Sequence, residues 1–281
     1  MAVPDFIVLG HVVQDLVPGG WRLGGTAAFA AVQAQRLGLS VGVVTRRRPD
    51  LNLDDWLPGV EIAGRASSHT TAFENVYDGG MRRQRVLRQA EPLQMDDVPA
   101  EWRSAPVVLL GPVCGEMAPG FGESFAGSLT GVAAQGWLRR ITNEQRVERC
   151  AWDGPPFWSG CHALFVSDED IEGRRDQVDQ WAAELPIVAM TRYRSGARMH
   201  AGGRWLEIDA FPTNEVDPTG AGDVFAAAFL VRYHETADGA EATRFASAAA
   251  ACSVEGVGIE GITDRSQIDA RMREHPEVAL R

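Results

Sequence analysis

Short, continuously apolar runs set at intervals along the chain give the strongest pattern. Phe6-Ile7-Val8-Leu9, Val41 to Thr45, Val107-Val108-Leu109-Leu110, Ala163-Leu164-Phe165-Val166 and Ile187-Val188-Ala189-Met190 read as strands buried on both faces. Gly24-Gly25 opens an alanine-rich helix that runs to about Leu37, with Gly38 in C-cap position. Glu169 to Glu184 reads as an amphipathic helix, and from Val224 a small, apolar stretch without a breaker until Gly239 predicts a buried helix. This strand–helix–strand order predicts a doubly wound α/β core.

Two stretches follow a different period. His11 to Val17 alternates, as does much of Val60 to Gln89, which is broken by the hairpin signal Asp78-Gly79-Gly80. Together they predict a small sheet outside the main core. Arg198 to Ile208, with Gly202-Gly203 at its centre, predicts a second hairpin. Internal repeats and low-complexity linkers are absent, so the expectation is a single domain over residues 1–281 with lid segments at about 11–23 and 60–90.

Composition narrows the function. A chain of 281 residues with 45% hydrophobic residues can bury a large core, and a net charge of −11 argues against nucleic-acid and anionic-membrane surfaces. All 27 basic residues are Arg, which excludes any mechanism that needs a Lys. Cys114, Cys150, Cys161 and Cys252 are scattered without a C-x-x-C pair and read as small buried residues, neither metal ligands nor disulfides. There is no signal-peptide pattern and no apolar run long enough to span a membrane, so a cytoplasmic protein is expected.

The chemistry concentrates in Val216-Asp217-Pro218-Thr219-Gly220-Ala221-Gly222-Asp223-Val224-Phe225. Pro218 biases its predecessor away from helix, and Gly220 and Gly222 permit a tight turn with close backbone approach. The first turn of the following helix leaves N–H groups without partners and carries partial positive charge, so a phosphate can settle on the N–H groups of Gly220, Ala221 and Gly222. Asp223 then stands where a carboxylate can take a proton from an attacking hydroxyl. An anion hole beside a base is an arrangement for phosphoryl transfer. Two other readings compete: an acid in a first helical turn stabilises the helix by ~0.3–1 kcal/mol with no catalytic role, and Gly220 to Ala226 (G-x-G-x-x-x-A) approximates the dinucleotide pattern G-x-G-x-x-A with its Ala one position late. The second reading lacks the strand that should precede it and the acid-ended strand that should follow.

Asp217-Pro218-Thr219-Gly220-Ala221-Gly222-Asp223, followed by small and apolar residues, resembles the C-terminal signature of the ribokinase-like (PfkB-type) carbohydrate kinases. The resemblance covers nearly the whole chain, strongest at its two ends and weakest from about Gly115 to Gly160. It implies a three-layer, doubly wound α/β core with a small β-sheet lid and an ATP-dependent kinase acting on a hydroxyl of a sugar, polyol or nucleoside. ATP and Mg²⁺ are the cofactors it implies, with a monovalent cation as a further one, and a homodimer through the lid is the partner arrangement known in the family. By the same resemblance Asp15 binds acceptor hydroxyls, and Gly24-Gly25 with Thr26 and Phe29 forms the adjoining substrate element. Thr191 and Gly196 of Thr191-Arg192-Tyr193-Arg194-Ser195-Gly196 contact the nucleotide together with Thr219, Gly220 and Gly222. Asp170, in Ser167-Asp168-Glu169-Asp170, holds the Mg²⁺ shell through water. Departures from the family are Thr26 and Phe29 where it carries Asn, and Tyr193 where it carries Gly. Ser167 to Asp170 is equally a helix N-cap followed by first-turn acids. Arg82, Arg83, Arg85 and Arg88 read as a solvated face or as recognition of a phosphorylated sugar. The departures keep one alternative open, a non-catalytic small-molecule-binding protein on a kinase fold.

Overall fold

The first strand already shows how the molecule is layered. In β1 (Phe6–Leu9), Phe6 and Val8 enter one hydrophobic cluster while Ile7 and Leu9 enter another, so the strand is buried on both sides. The computed structural model describes residues 2–78, 81–152 and 154–281, and for 76–78 and 81–83 the backbone alone. After β1 come β2 (Val13–Val17), β3 (Gly20–Gly24), α1 (Thr26–Arg36), β4 (Val41–Val44), β5 (Glu61–Ala63), β6 (Thr71–Asp78), β7 (Met81–Arg88) and β8 (Val107–Leu110). The chain continues through β9 (Leu129–Ala133), β10 (Arg139–Ile141), β11 (Val147–Arg149), α2 (Pro155–Trp158), β12 (Ala163–Ser167), α3 (Asp168–Ile171), α4 (Arg175–Glu184) and β13 (Ile187–Thr191). It ends with β14 (Ala197–Ala201), β15 (Arg204–Ile208), α5 (Ala221–Thr236), α6 (Gly239–Ser253) and α7 (Arg265–Glu274).

The main sheet has the order β15-β14-β13-β12-β9-β8-β1-β4-β5, parallel from β13 to β5 with the antiparallel pair β14–β15 at one edge. Helices α1, α5 and α6 cover the face that holds Phe6 and Val8, and α2 and α4 with short 3₁₀ turns cover the other. This is the expected three-layer α/β core. Helix α5 is buried on every side from Val224 to Val231, because the sheet lies beneath it and α1 and α6 flank it. Strand β9 runs through the centre of the sheet yet is weakly marked in sequence. Its Gly131 sits where a Cβ would come within 2.8 Å of Leu230 and 2.9 Å of Phe165, so the position that would have completed an apolar run must stay empty.

A second sheet, β3-β2-β6-β7, forms the lid. Two expectations change here. Residues 61–63 pair with β4 in the main sheet, so the lid takes 71–88 of the stretch expected over 60–90. The lid segment expected over 11–23 also holds a second strand, β3, whose Gly20 to Gly24 carries too little apolar character to signal a strand. The turn expected at Asp78-Gly79-Gly80 falls partly outside the described residues, though β6 and β7 on either side pair antiparallel. The single helix expected over 169–184 is two, α3 and α4, because Glu172 and Gly173 take left-handed backbone (φ 49° and 82°).

The lid is pinned to the core by buried polar contacts. Both Glu116 oxygens accept backbone N–H groups, from His11 (3.0 Å), Val113 (2.9 and 3.0 Å) and Cys114 (2.8 Å). The His11 Nε2–H donates to the Glu91 carbonyl (3.1 Å), and Nδ1 lies 2.9 Å from the Thr71 hydroxyl. No helix among the described residues is long and apolar enough to cross a membrane.

Candidate functional site

The carboxyl ends of β9, β12 and β13 face a cleft of about 610 Å³ beneath the lid, the place where open α/β sheets bind ligands. Two helix N-termini converge on it. Gly25 precedes α1 with φ 84° and Gly220 precedes α5 with φ 80°, and neither helix has a side-chain cap. Both ends therefore present first-turn N–H groups and positive dipole ends to one region.

Asp223 lies in the first turn of α5 and accepts a 2.7 Å hydrogen bond from the Thr26 hydroxyl at the start of α1. Burial pushes its carboxyl up to about 6, against lowering by the Thr26 bond and the Arg139 charge, while the Asp170 and Asp15 charges raise it further. Thr26, placed at the substrate by its sequence context, thus touches the carboxylate itself. Gly111 makes room for it, since a Cβ there would overlap the Thr26 side chain.

The loop before α5 is tied down from below. Val216 and Asp217 donate their N–H groups to Val254 O (2.7 and 3.1 Å). The Asp217 carboxylate accepts from Thr219 N (3.0 Å) and Gly258 N (3.2 Å), an Asx turn that the Asp-x-Thr spacing could have signalled. Gly220 is doubly required: its φ is positive, and a Cβ would overlap the ring of Phe29, which is only 2% exposed. Phe29 therefore supports the loop as well as lining the cleft. At Gly222 a Cβ would meet nothing within 4 Å, so the space its missing side chain leaves belongs to the cleft. Of the three expected N–H groups, that of Ala221 turns to Pro218 O at 3.3 Å.

Asp15 stands on β2 and lines the same cleft as Asp223, half-buried, with Gly24 beside it on β3. A Cβ on Gly24 would overlap the Asp15 carboxylate, so Gly24 acts by leaving room for Asp15 and is not on the cleft wall. Gly25 allows close approach to His11 O, 2.7 Å from where its Cβ would be. At the other end, Thr191 and Gly196 line the cleft. Between them Tyr193 adopts φ 51°, an outlier for a bulky residue, and is 64% exposed. Its hydroxyl donates to Glu215 (2.6 Å), which also pairs with Arg194 (3.3 Å). Asp170 lies buried on the cleft wall, where Ser167 both caps α3 through Asp170 N (3.1 Å) and donates to the Asp170 carboxylate (2.6 Å). The helix cap Ser167 is thus bonded directly to the expected site residue Asp170.

Other polar groups separate from this arrangement. His11, Cys114 and Glu116 lie close enough to share a metal ion, but the Glu116 oxygens and both His11 nitrogens already have protein partners at the root of the lid. Arg85 pairs loosely with Glu74 (3.9 Å), Arg88 is exposed, and the side chains of Arg82 and Arg83 lie outside the described residues. Arg139 and Gln84 also face the cleft, and nothing in the local sequence marked either.

A profile of the pfkB family carbohydrate kinases matches residues 158–263. The cytidine kinase of Thermococcus kodakarensis is 28% identical over 266 residues, spanning 82% of this chain and 88% of that protein. Among solved structures, a pyrophosphate-dependent kinase in the ribokinase family superposes with a TM-score of 0.80 at 23% identity, covering 94% of this chain and 99% of that one. Arabidopsis thaliana ribokinase complexed with ribose and ATP superposes with a TM-score of 0.73 at 21% identity, covering 97% and 99%. The chain thus shares the ribokinase fold with these two structures, and over the region of its signature loop it is similar to the pfkB family carbohydrate kinases.

Proposed function

We propose that the protein transfers the terminal phosphoryl group of ATP to a hydroxyl of a sugar, polyol or nucleoside. The observation that carries this reading is the convergence of two uncapped helix N-termini on Asp223, with Asp15 lining the same cleft. Asp15 would bind acceptor hydroxyls and set which of them faces Asp223. With a carboxyl raised to about 6, Asp223 is ionised at neutral pH yet takes up a proton more readily than an ordinary Asp. The Thr26 hydroxyl fixes its orientation. The N–H groups at the start of α5 would stabilise charge on the transferring phosphoryl, and in a loose transition state this positioning matters more than base strength. Thr191, Gly196 and Thr219 would contact the donor. The oxygen donors of Asp170 and Ser167 suit Mg²⁺ held through water, which would supply neutralisation of the donor's phosphate charge.

A second reading concerns the donor alone. The Tyr193–Glu215 bond narrows the donor end at the position where the family carries a glycine, which favours a donor without a nucleoside. The structurally similar kinase named above is pyrophosphate-dependent. One experiment separates the readings: product release with Mg-ATP and with Mg-pyrophosphate across neutral sugars, cyclitols and nucleosides. Acceptor-dependent ADP release supports the first. Acceptor-dependent phosphate release with pyrophosphate alone moves the donor assignment to the second. Silence with both donors favours the non-catalytic binding protein.

A further inference from the structure

The stretch from Gly115 to Gly160, where family likeness is weakest, lies almost entirely outside the matched residues 158–263, yet it reaches the cleft. Strands β10 and β11 form a hairpin that docks on the lid. Val86 N on β7 donates to Gln145 O (2.8 Å), and Arg85 and Arg146 form a backbone bridge. Ile141 and Val147 pack against the small cluster of Val13, Phe73, Val86, Val113 and Cys114 at the root of the lid. The hairpin thus extends the lid at β7, contributed from a distant part of the chain.

Arg139, at the base of this hairpin, faces the cleft together with Asp15, Gln84 and Val113. Its charge helps lower both the Asp223 carboxyl and the Cys114 thiol, against the burial that raises them. The donor end has its own arginine, Arg194, already tied to Glu215.

We propose that Arg139 is a specificity-determining residue of the acceptor subsite, donating guanidinium N–H bonds to oxygens of a neutral, polyhydroxylated acceptor whose other hydroxyls are held by Asp15. The proposal rests on the kinase reading above. Ionised Asp15 and Asp223 only accept hydrogen bonds, so they fix hydroxyl protons and leave hydroxyl and ring oxygens unserved. Arg139 supplies donors in a rigid planar fork. One cation beside two carboxylates leaves this end net negative, which disfavours an acceptor that already carries a phosphate. Asp15 and Arg139 each have a polar partner in the free protein, so acceptor binding exchanges contacts.

The test uses R139Q and R139K in the full chain, with the neutral acceptor on which the wild type is most active and with its phosphorylated form. R139Q should raise the acceptor KM by about tenfold or more, the loss expected for one charge-assisted hydrogen bond. The donor KM should stay within about twofold and kcat within about threefold, with R139K intermediate. The acid limb of the wild-type pH profile should also move to higher pH in R139Q, since a charge that lowers the Asp223 carboxyl is gone, which a merely structural role would not produce. An unchanged acceptor KM overturns the assignment, as does a uniform fall in kcat alone, which would place Arg139 on the phosphoryl group. Tighter use of the phosphorylated acceptor overturns it as well. A wild type without acceptor-dependent turnover removes the kinase reading itself, a different failure.

Discussion

The two ends of the cleft are built in opposite ways. The end proposed to carry catalysis comes from one contiguous segment, Asp217 to Asp223, clamped by Val254 and Gly258 and backed by a helix buried on every side. The end proposed to take the acceptor is gathered from three separated pieces: Asp15 on β2, Gln84 on β7 and Arg139 on the docked hairpin. A contiguous end has fixed internal geometry, so one substitution should be costly and act mainly on kcat. An assembled end shares its contacts among elements, so single changes there should act on the acceptor KM and can differ between relatives without loss of the chemistry.

Asp223→Asn should have the largest effect. We expect kcat to fall by about a thousandfold or more with nucleotide affinity within a few-fold, read by steady-state kinetics and calorimetry. Retained turnover would erase the distinction between the two ends. The variant should also lose a stability penalty. Because the native carboxyl is raised to about 6, the folded state binds that proton more tightly than the unfolded chain, and stability gains as pH falls through this range. Above it the buried charge is a cost, so the Asn variant should melt higher at pH 8, by roughly 2–4 °C for ~1 kcal/mol.

Gly220→Ala comes next. The left-handed backbone and the Phe29 ring both oppose a Cβ, and a cost of ~1–3 kcal/mol with about a hundredfold loss of kcat is expected. Adding Phe29→Ala should restore part of the stability in a double-mutant cycle, whereas strict additivity would show that the ring is not the obstacle.

How much of this was legible in the sequence follows the same division. Five apolar runs marked five strands of the main sheet, and Gly220 and Gly222 marked the tight turn into α5, because local backbone demands leave local residues. β9 was hidden because Gly131 must stay small beneath Leu230 and Phe165. The Thr26–Asp223 bond joins residues 197 apart, which only the fold brings together. Arg139 was illegible for a similar reason: its strand is three residues long, and its place depends on docking against β7.

Smaller effects sharpen the comparison. Thr26→Val should raise the Asp223 carboxyl further, since the hydroxyl bond lowers it, and should reduce kcat by about tenfold near pH 6 and less at pH 8. Equal loss at both values would assign Thr26 to substrate rather than to the base. Tyr193→Gly should have the smallest effect on kcat, with the change falling on the donor: the ATP KM should drop by a few-fold once the bridge to Glu215 is removed. An unchanged KM would show that the bridge does not narrow the donor path.

The most direct test is the pH profile of kcat/KM for the acceptor between pH 5 and 9. With Asp223 as the base, log kcat/KM should rise with unit slope and level off above an apparent pKa near the value of about 6 that burial imposes on this carboxyl. A profile flat through pH 5 to 7 would contradict the account, because the group that takes the hydroxyl proton would then be something other than Asp223.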